Sequence, residues 1–298
     1  MERPLLKPWY RLSVESGRSV LRYAGSVLEF EGAAAERLLP HLLPLLDGTR
    51  SVDDVVGELG EAVRPAVEHA LSLLRAQDLL TEGGRDAGRC PEVLAATTGR
   101  TLTDVQQRLS TAEIHVLGSG PPAEAIGRLL QASGIDRVER LEWDEPPPRT
   151  GFVVAAPSGA EVHRLAEWNE HALEAATDWM QVLPFDGRFA AVGPVFVPGE
   201  TACHECFLVR RDSTIAPSRD RTRGDYLGSP STDAALAGLA AHVALRHVAI
   251  GGDAGTLLAL ELTTLQCTRH FVYRVPRCPA CSPAARRAVP APWSDVAA

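Results

Sequence analysis

The sequence predicts an α/β protein in two parts: an N-terminal winged helix-turn-helix and a Rossmann-like α/β domain with a four-cysteine zinc site. Three observations predict this class. Within the first 84 residues, three short extended runs precede three helical patterns. From residue 113, a strand, a glycine-rich turn, a helix and another strand follow one another. Two CxxC pairs, Cys203–Cys206 and Cys278–Cys281, lie past mid-chain.

Length and composition limit the class of protein. The 298 residues suffice for one large or two ordinary domains, and we expect divisions at 1–84, 85–110 and 111–298. The net charge of -8 argues against a general nucleic-acid binder. No apolar run reaches the ~20 residues that span a bilayer, and the N-terminus lacks a signal-peptide core. Six cysteines, four of them in CxxC pairs, fit a reducing compartment, so we expect a cytoplasmic protein without membrane or nucleic-acid partners.

The first part shows a hairpin, a third strand and helices with recognisable starts. Pro40 and Pro44 are expected to bend or break the first, leucine-rich helix. Ser51 is the expected N-cap of the second helix, and Pro65 fits the first turn of the third. The predicted strands are Arg11–Val14, Ser19–Tyr23 and Val27–Phe30, and the first helix is Ala33–Leu46.

DNA binding is the ordinary function of a winged helix-turn-helix. Here acidic residues outnumber basic ones, and the third helix carries Glu68 beside Arg75 without an Arg or Lys cluster. This charge distribution argues against DNA binding by this unit.

The sequence also resembles a known recognition module. Val27-Leu28-Glu29-Phe30, the turn at Leu46-Asp47-Gly48-Thr49, the helix start at Ser51-Val52-Asp53-Asp54 and the ending Leu79-Leu80 are similar to the PqqD-like peptide-recognition element. The resemblance implies that the leader of a precursor peptide adds as a strand to Val27–Phe30 and lies against the third helix. The implied peptide-binding residues are Val27, Leu28, Glu29, Phe30, Val67, Ala70, Leu71 and Leu74.

The second part opens like a nucleotide-binding unit. Glu113–Leu117 is a predicted strand, Gly118-Ser119-Gly120 a turn, and the next strand leads to Asp144. Pro121 and Pro122 follow the turn and lack the N–H groups that a phosphate needs at a helix start. The turn alone is therefore weak evidence for a nucleotide. The later predicted elements are strands at 152–155, 179–183 and 189–192 and a helix at 161–177.

The two CxxC pairs supply the four thiolates of a closed structural zinc site. Because 71 residues separate Cys206 from Cys278, the metal would join remote segments of one domain. Redox pairs or disulfides are the alternative, but neither pair is expected to open a helix after a strand as a redox CxxC does.

Residues 105–285 resemble the ThiF-like, ubiquitin-activating-enzyme-like superfamily. The matching features are Gly118 and Gly120, Asp144, Asn169, the run from Gly193-Pro194 to Cys203-x-x-Cys206, and Cys278 with Cys281, which complete that superfamily's zinc site. After Asp144-Glu145, however, Pro146-Pro147-Pro148 leads directly to the next strand, and the region that would supply triphosphate-binding Arg and Lys is missing. The resemblance therefore implies structural zinc but no nucleotide and no adenylation.

A PqqD-like element fused to a degenerate ThiF-like domain resembles the leader-binding partner proteins of azole-forming and thiopeptide pathways. That resemblance implies a non-catalytic protein that recruits the precursor peptide to a YcaO-type cyclodehydratase, and fold analogy suggests a homodimer. The alternatives are an ATP-dependent adenylating enzyme and a winged-helix regulator.

The C-terminal third offers weaker candidates. Arg210–Asp225 is a predicted loop, either solvated or ordered by a partner, and Thr232–Ile250 is a buried or partner-facing helix. Strands are expected at 257–262 and 269–275, followed by a frayed tail. Cys90 and the pair Cys267 and His270 are candidate nucleophilic groups, but a structural or idle thiol is the favoured interpretation of Cys90, and the side chains of Cys267 and His270 need not meet on one strand.

Overall fold

The computed structural model describes residues 3–7, 10–15, 18–23, 26–82, 89–214, 226 and 228–282. The chain divides into two compact units, Met1–Arg108 and Leu109–Ala298. The predicted tail, the side chain of Cys90 and most of the predicted 210–225 loop lie outside the described residues.

The first unit contains two small antiparallel sheets and a set of helices. One sheet has the order β2-β3-β4, and the other pairs β1 with β5. The second sheet was not predicted, because β1 and β5 are short and lie far apart in sequence. The elements are β1 Pro4–Leu6, β2 Arg11–Glu15, β3 Arg18–Tyr23, β4 Ser26–Phe30, α1 Ala33–Arg37, α2 Leu39–Leu45, α3 Val52–Leu59, α4 Arg64–Ala76, β5 Leu80–Glu82, α5 Arg89–Thr98 and α6 Leu102–Thr111, which crosses the boundary between units.

The helix starts follow the local sequence signals. The predicted leucine-rich helix is interrupted at Leu38, and Pro40 lies in the first turn of the second piece. The Ser51 side chain accepts a hydrogen bond from the N–H of Asp54, and the Asp54 carboxylate accepts one from the N–H of Ser51. This capping box satisfies two amides that the helix itself leaves unbonded.

Removal of this cap should weaken the first unit measurably. We expect Ser51→Ala to lower the free energy of unfolding of that unit by about 1 kcal/mol. Urea unfolding followed by circular dichroism measures the difference. An unchanged midpoint would show that the capping box does not contribute to stability.

The second unit is built on a seven-stranded mixed sheet. Its order is β12-β11-β10-β9-β8-β6-β7. Strands β7, β6, β8 and β9 are parallel, and β9 to β12 pair antiparallel. The elements are β6 Glu113–Leu117, α7 Pro121–Ala132, β7 Arg137–Leu141, β8 Phe152–Ala155, α8 Leu165–Ala175, β9 Trp179–Leu183, β10 Phe189–Phe196, α9 His204–Thr214, α10 Pro230–Ile250, β11 Thr256–Glu261 and β12 Gln266–Phe271.

Helices cover both faces of this sheet. On β8, the Phe152 ring contacts His247 of α10 with the ring centroids 4.5 Å apart. The next residue, Val153, packs in the core cluster that contains Trp168 of α8. Successive residues of a strand face opposite sides, so α10 and α8 lie on opposite faces. All four residues of β8 are buried, as expected for a central parallel strand.

The connection from β7 to β8 is unusually short. These strands flank β6, so the chain must cross one strand between them. It does so in ten residues, 142–151, all described and none helical. Crossovers between parallel strands usually contain a helix. As expected, the chain passes from Asp144 to the next strand without an intervening helix.

Four predicted elements need correction. The helix predicted at 161–177 is a 3-10 turn, Gly159–Arg164, followed by α8, because Ser158 and Glu161 cap an earlier start. The predicted loop from Arg210 is helical as far as Thr214, because α9 continues to that residue. Strand β10 extends to Phe196, with a register shift between Val192 and Val195, and β12 ends at Phe271.

Helix α10 differs from the expectation that no apolar run is long enough to span a bilayer. Among the described residues it is long and apolar enough to cross a membrane by length and composition. Several of its residues, including Leu236, Ala240 and Leu245, are buried, and it packs against α7 and β10. The core helix of a globular domain has the same length and composition.

Candidate functional site

The first candidate site is a groove beside the last strand of the three-stranded sheet. In the described part of the chain, β4 pairs with β3 on one side only. Next to β4 lies a groove of about 290 Å³, bounded by the end of β4, by α1 and the start of α2, and by α4. An open strand edge beside such a groove is the arrangement that binds an extended peptide as an added strand.

The backbone of β4 determines which groups face the open edge. Opposed residues of an antiparallel pair alternate between exchanging both main-chain hydrogen bonds and exchanging none. Tyr23 and Ser26 flank a two-residue connection, so they form a pair that exchanges main-chain hydrogen bonds. The next such pair along the strands is Leu21 with Leu28. Val27 and Glu29 therefore direct their N–H and C=O groups away from β3.

The structure brings together half of the predicted peptide-binding residues. Glu29, Phe30, Ala70 and Leu74 line the groove. Val27 is 52% exposed and lies on the strand that borders it. No observation tests whether these residues bind a peptide, so that role stays a prediction.

The other predicted residues belong to the core. Val67 and Leu71 are 0% and 1% exposed, and Leu28 packs against the same hydrophobic cluster. Val67 and Leu71 therefore lie in the core and do not line this groove, and their predicted part in peptide binding stays a prediction. The sequence signal was the apolar stripe of α4, which is the core-facing stripe. The residues of α4 that face the groove lie about one position away from this stripe, or roughly 100° around the helix. The groove is further lined by Glu31, Ala34, Ala35, Leu39, Ala66, His69 and Leu73.

The second candidate site is a cluster of the four CxxC cysteines. Their Sγ atoms all lie within 4.8 Å of one another. The Sγ atoms of Cys203 and Cys206 are 3.8 Å apart, those of Cys203 and Cys278 3.7 Å, and those of Cys206 and Cys281 3.6 Å. Four sulfurs at about 2.3 Å from a tetrahedral zinc ion would be about 3.8 Å apart. The geometry therefore fits a closed zinc site.

The cluster is continuous with the core of the second unit. Cys203, Cys206 and Cys278 are buried in one hydrophobic cluster with Trp168, Trp179 and other residues. The N–H of Val275 donates to Sγ of Cys206 at 3.3 Å. Arg210 of α9 donates to the carbonyl of Arg274 at 2.9 Å. The two remote segments are thus also joined by hydrogen bonds between side chains of the first segment and main-chain groups of the second.

Ionisation within the cluster is strongly coupled. Hydrogen bonds, above all from the Cys203 thiol, lower the pKa of Cys206 to about 4. The pKa of Cys203 is raised by the hydrogen bond that its thiol donates to Cys206 and by burial. The pKa of Cys281 is raised to about 11 by burial and by its hydrogen bond with Cys206. One thiolate therefore suppresses ionisation of its neighbours, and a divalent cation would permit all four to ionise.

One expectation about the cysteines was wrong. Cys203 directly precedes α9 and Cys206 lies in its first turn, so the first pair does open a helix. The physical reason is a cap from another helix: Oδ1 of the buried Asn169 accepts a hydrogen bond from the N–H of His204 at 2.9 Å. Convergence of all four sulfurs still favours metal binding over a redox pair.

A buried polar pair supports the first CxxC pair, Cys203 and Cys206. Nδ1 of His204 lies 2.8 Å from Oε1 of Gln181, which can only accept, so Nδ1 donates. Burial lowers the pKa of His204 to about 3, which keeps the imidazole neutral. The contacts of His204 with Gln181 and Asn169 were not predicted, because Gln181 lies on β9 and Asn169 on α8, both distant from His204 in sequence.

The Cys267 and His270 pair does not form a catalytic dyad. Both lie on β12, three residues apart, so their side chains face opposite sides of the strand. Nε2 of His270 instead lies 2.8 Å from Oγ1 of Thr268.

Comparison with known proteins gives structural matches only. No family model and no curated protein matches the sequence. A heterocyclase in complex with substrate and cofactor has a TM-score of 0.71 at 21% identity, covering 94% of this chain and 40% of its own. The heterocyclase TruD has a TM-score of 0.71 at 23% identity, covering 94% and 43%. E. coli MccB with ATP has a TM-score of 0.64 at 14% identity, covering 94% and 99%.

These matches establish the fold. The mixed α/β architecture with its seven-stranded sheet is consistent with the expected ThiF-like fold. The chain spans less than half the length of the two heterocyclases.

Proposed function

We propose that this protein binds the leader segment of a ribosomally made precursor peptide and presents the remainder to a YcaO-type cyclodehydratase. In this proposal the partner forms the azoline or azole rings, and the chain itself recruits and activates rather than catalyses. The observation that carries the proposal is the open edge of β4 beside the groove of α4.

The groove has the features that strand addition needs. The main-chain groups of Val27 and Glu29 face the edge and can bond to an extended peptide. The small side chains of Ala66 and Ala70 leave space on α4, and Leu73, 47% exposed, offers an apolar wall. Alternate side chains of an added strand point to the same face and would enter this space. A Kd near 1 μM, about -8 kcal/mol, suffices for recruitment.

The assignment of ring formation to a partner has separate support. Two structures with this fold are heterocyclases, and more than half of each lies outside the part that this chain matches. MccB, with the same fold, is known in complex with N-formylated MccA. The proposal also assigns a structural zinc to Cys203, Cys206, Cys278 and Cys281.

A substitution in the groove tests the proposal. The probe is a fluorescently labelled N-terminal half of a short Cys- and Ser-rich peptide encoded beside this gene. We expect saturable binding by the wild type and at least about tenfold weaker binding by Leu73→Glu, because a charge then occupies the apolar wall. Fluorescence anisotropy measures both.

The matched control is Leu129→Glu on α7. Leu129 is 39% exposed and lies in the other unit, so this variant should bind like the wild type. Absence of saturable wild-type binding below ~100 μM would contradict the proposal. Equal weakening by both variants would contradict the location of the groove.

A further inference from the structure

The glycine-rich turn after β6 holds a carboxylate from its own chain. Gly118, Ser119 and Gly120 lead from β6 into α7, and Gly118 has φ +116°. A Cβ on Gly118 would lie 2.4 Å from the carbonyl oxygen of Ala156, so the turn packs directly on the end of β8. In nucleotide-binding units with this topology, the amides of such a turn bind phosphate. Here the N–H of Ser119 donates to Oε2 of Glu161 at 3.2 Å.

Glu161 accepts hydrogen bonds from three segments. The N–H and the hydroxyl of Ser158 each donate to Oε2 at 2.8 Å. Nε1 of the buried Trp143 donates to Oε1 at 3.0 Å. Together with Ser119, these donors give the carboxylate four hydrogen bonds from the ends of β6, β7 and β8. Burial opposes ionisation of Glu161, but the bonds from Ser158 and Ser119 outweigh it and lower its pKa to about 2.

This turn offers few amide donors to a nucleotide phosphate. Pro121 and Pro122 occupy the first two positions of α7 and have no N–H to donate. The Ser119 amide already donates to Glu161. The ten-residue connection after β7 contains no helix that could bring cationic side chains to the turn. Arg149 is the one basic residue of this connection. MccB, which shares the fold, has been determined with ATP.

We propose that Glu161 is a permanent internal substitute for a phosphate. Its carboxylate fills the oxyanion seat at the glycine-rich turn, so the second unit is held together there by its own chain instead of by a nucleotide. The seat would accept a small free oxyanion, carboxylate or phosphate, only when the Glu161 side chain is removed. This inference is independent of peptide binding in the first unit.

Chemical rescue tests the proposal. Glu161→Ala should melt at least about 4 °C below the wild type, because four donors lose their acceptor. Added acetate or inorganic phosphate should restore at least half of that loss, whereas chloride at equal ionic strength should not. The wild type and Glu167→Ala, which removes an exposed glutamate of α8, should show only the general stabilisation that such salts give folded proteins, and rescue is the excess over these two controls.

Three results would overturn it. One is a Glu161→Ala melting temperature equal to that of Glu167→Ala, and another is absence of rescue. The third is saturable binding of Mg-ATP by the wild type with a Kd below ~1 mM.

A second variant keeps the test valid if Glu161→Ala does not fold. Glu161→Gln preserves the shape and removes the charge. Because the folded pKa of Glu161 is depressed, its contribution is complete above the ordinary value of 4.5 and disappears as the pH falls towards about 2. The melting-temperature gap between wild type and Glu161→Gln should therefore close over that range. The neighbouring Asp144, ion-paired with Arg164, is common to both proteins and cancels from the gap. A gap independent of pH would overturn the proposal.

Discussion

Replacement of Val27 by proline is expected to abolish leader binding while the first unit stays folded. The Val27 N–H faces the open edge of β4, so proline removes a donor to the added strand without removing a bond to β3. A peptide carbonyl would lose its partner, which costs about 3 kcal/mol, or about 100-fold in Kd. Anisotropy titration measures the affinity, and circular dichroism verifies the fold.

The opposite edge of the same sheet supplies a matched control. Val14 on β2 is also 52% exposed, and the register across the two-residue β2–β3 connection directs its N–H outward. Val14→Pro should therefore bind the leader like the wild type. Equal losses in both variants would mean that proline acts by damaging the sheet. Unimpaired binding by Val27→Pro would rule out strand addition at β4.

Loss of the metal is expected to unfold the second unit. Structural zinc contributes on the order of 10 kcal/mol to small metal-dependent domains, comparable to the whole stability of a typical domain. We expect about one zinc per chain in the wild type and none in Cys278→Ser. Because Cys278 is fully buried beside the other three sulfurs, Cys278→Ser should also lose the cooperative melting transition of the second unit.

Cys267→Ser is the control for this experiment. Cys267 is exposed on β12 and lies outside the cluster, so its replacement should change stability by less than about 0.5 kcal/mol. Zinc-free wild-type protein, or equal melting of the two variants, would contradict a structural metal. The groove beside β4 lies within the first unit, so the proposed peptide binding should persist longer than the second unit during zinc removal.

Features set by local sequence were predictable. The Ser51 cap, the interruption of the first helix just before Pro40 and the strand from Val27 to Phe30 follow from neighbouring residues. The cysteine cluster was also predictable, although 71 residues separate its halves, because two CxxC pairs together supply the four thiolate ligands of a tetrahedral zinc site.

Features set by tertiary packing were not predictable. The apolar pattern of α4 marks its core face, and the groove face beside it contains Ala66, His69 and Leu73, which carry no distinctive signal. Glu161 lies 42 residues from Ser119, and only the sheet topology places its carboxylate at the turn. The prolines after that turn indicated a lost phosphate site but gave no sign of the group that fills it.

Amide hydrogen exchange at β4 reports whether a bound peptide adds as a strand to this edge. The N–H groups of Val27 and Glu29 face an open edge in the free protein. Saturation with the leader peptide should slow their exchange at least about tenfold, while the N–H of Val14 on the opposite edge exchanges at an unchanged rate. Unchanged exchange at Val27 and Glu29 in the presence of bound peptide would contradict leader recognition by strand addition at this edge.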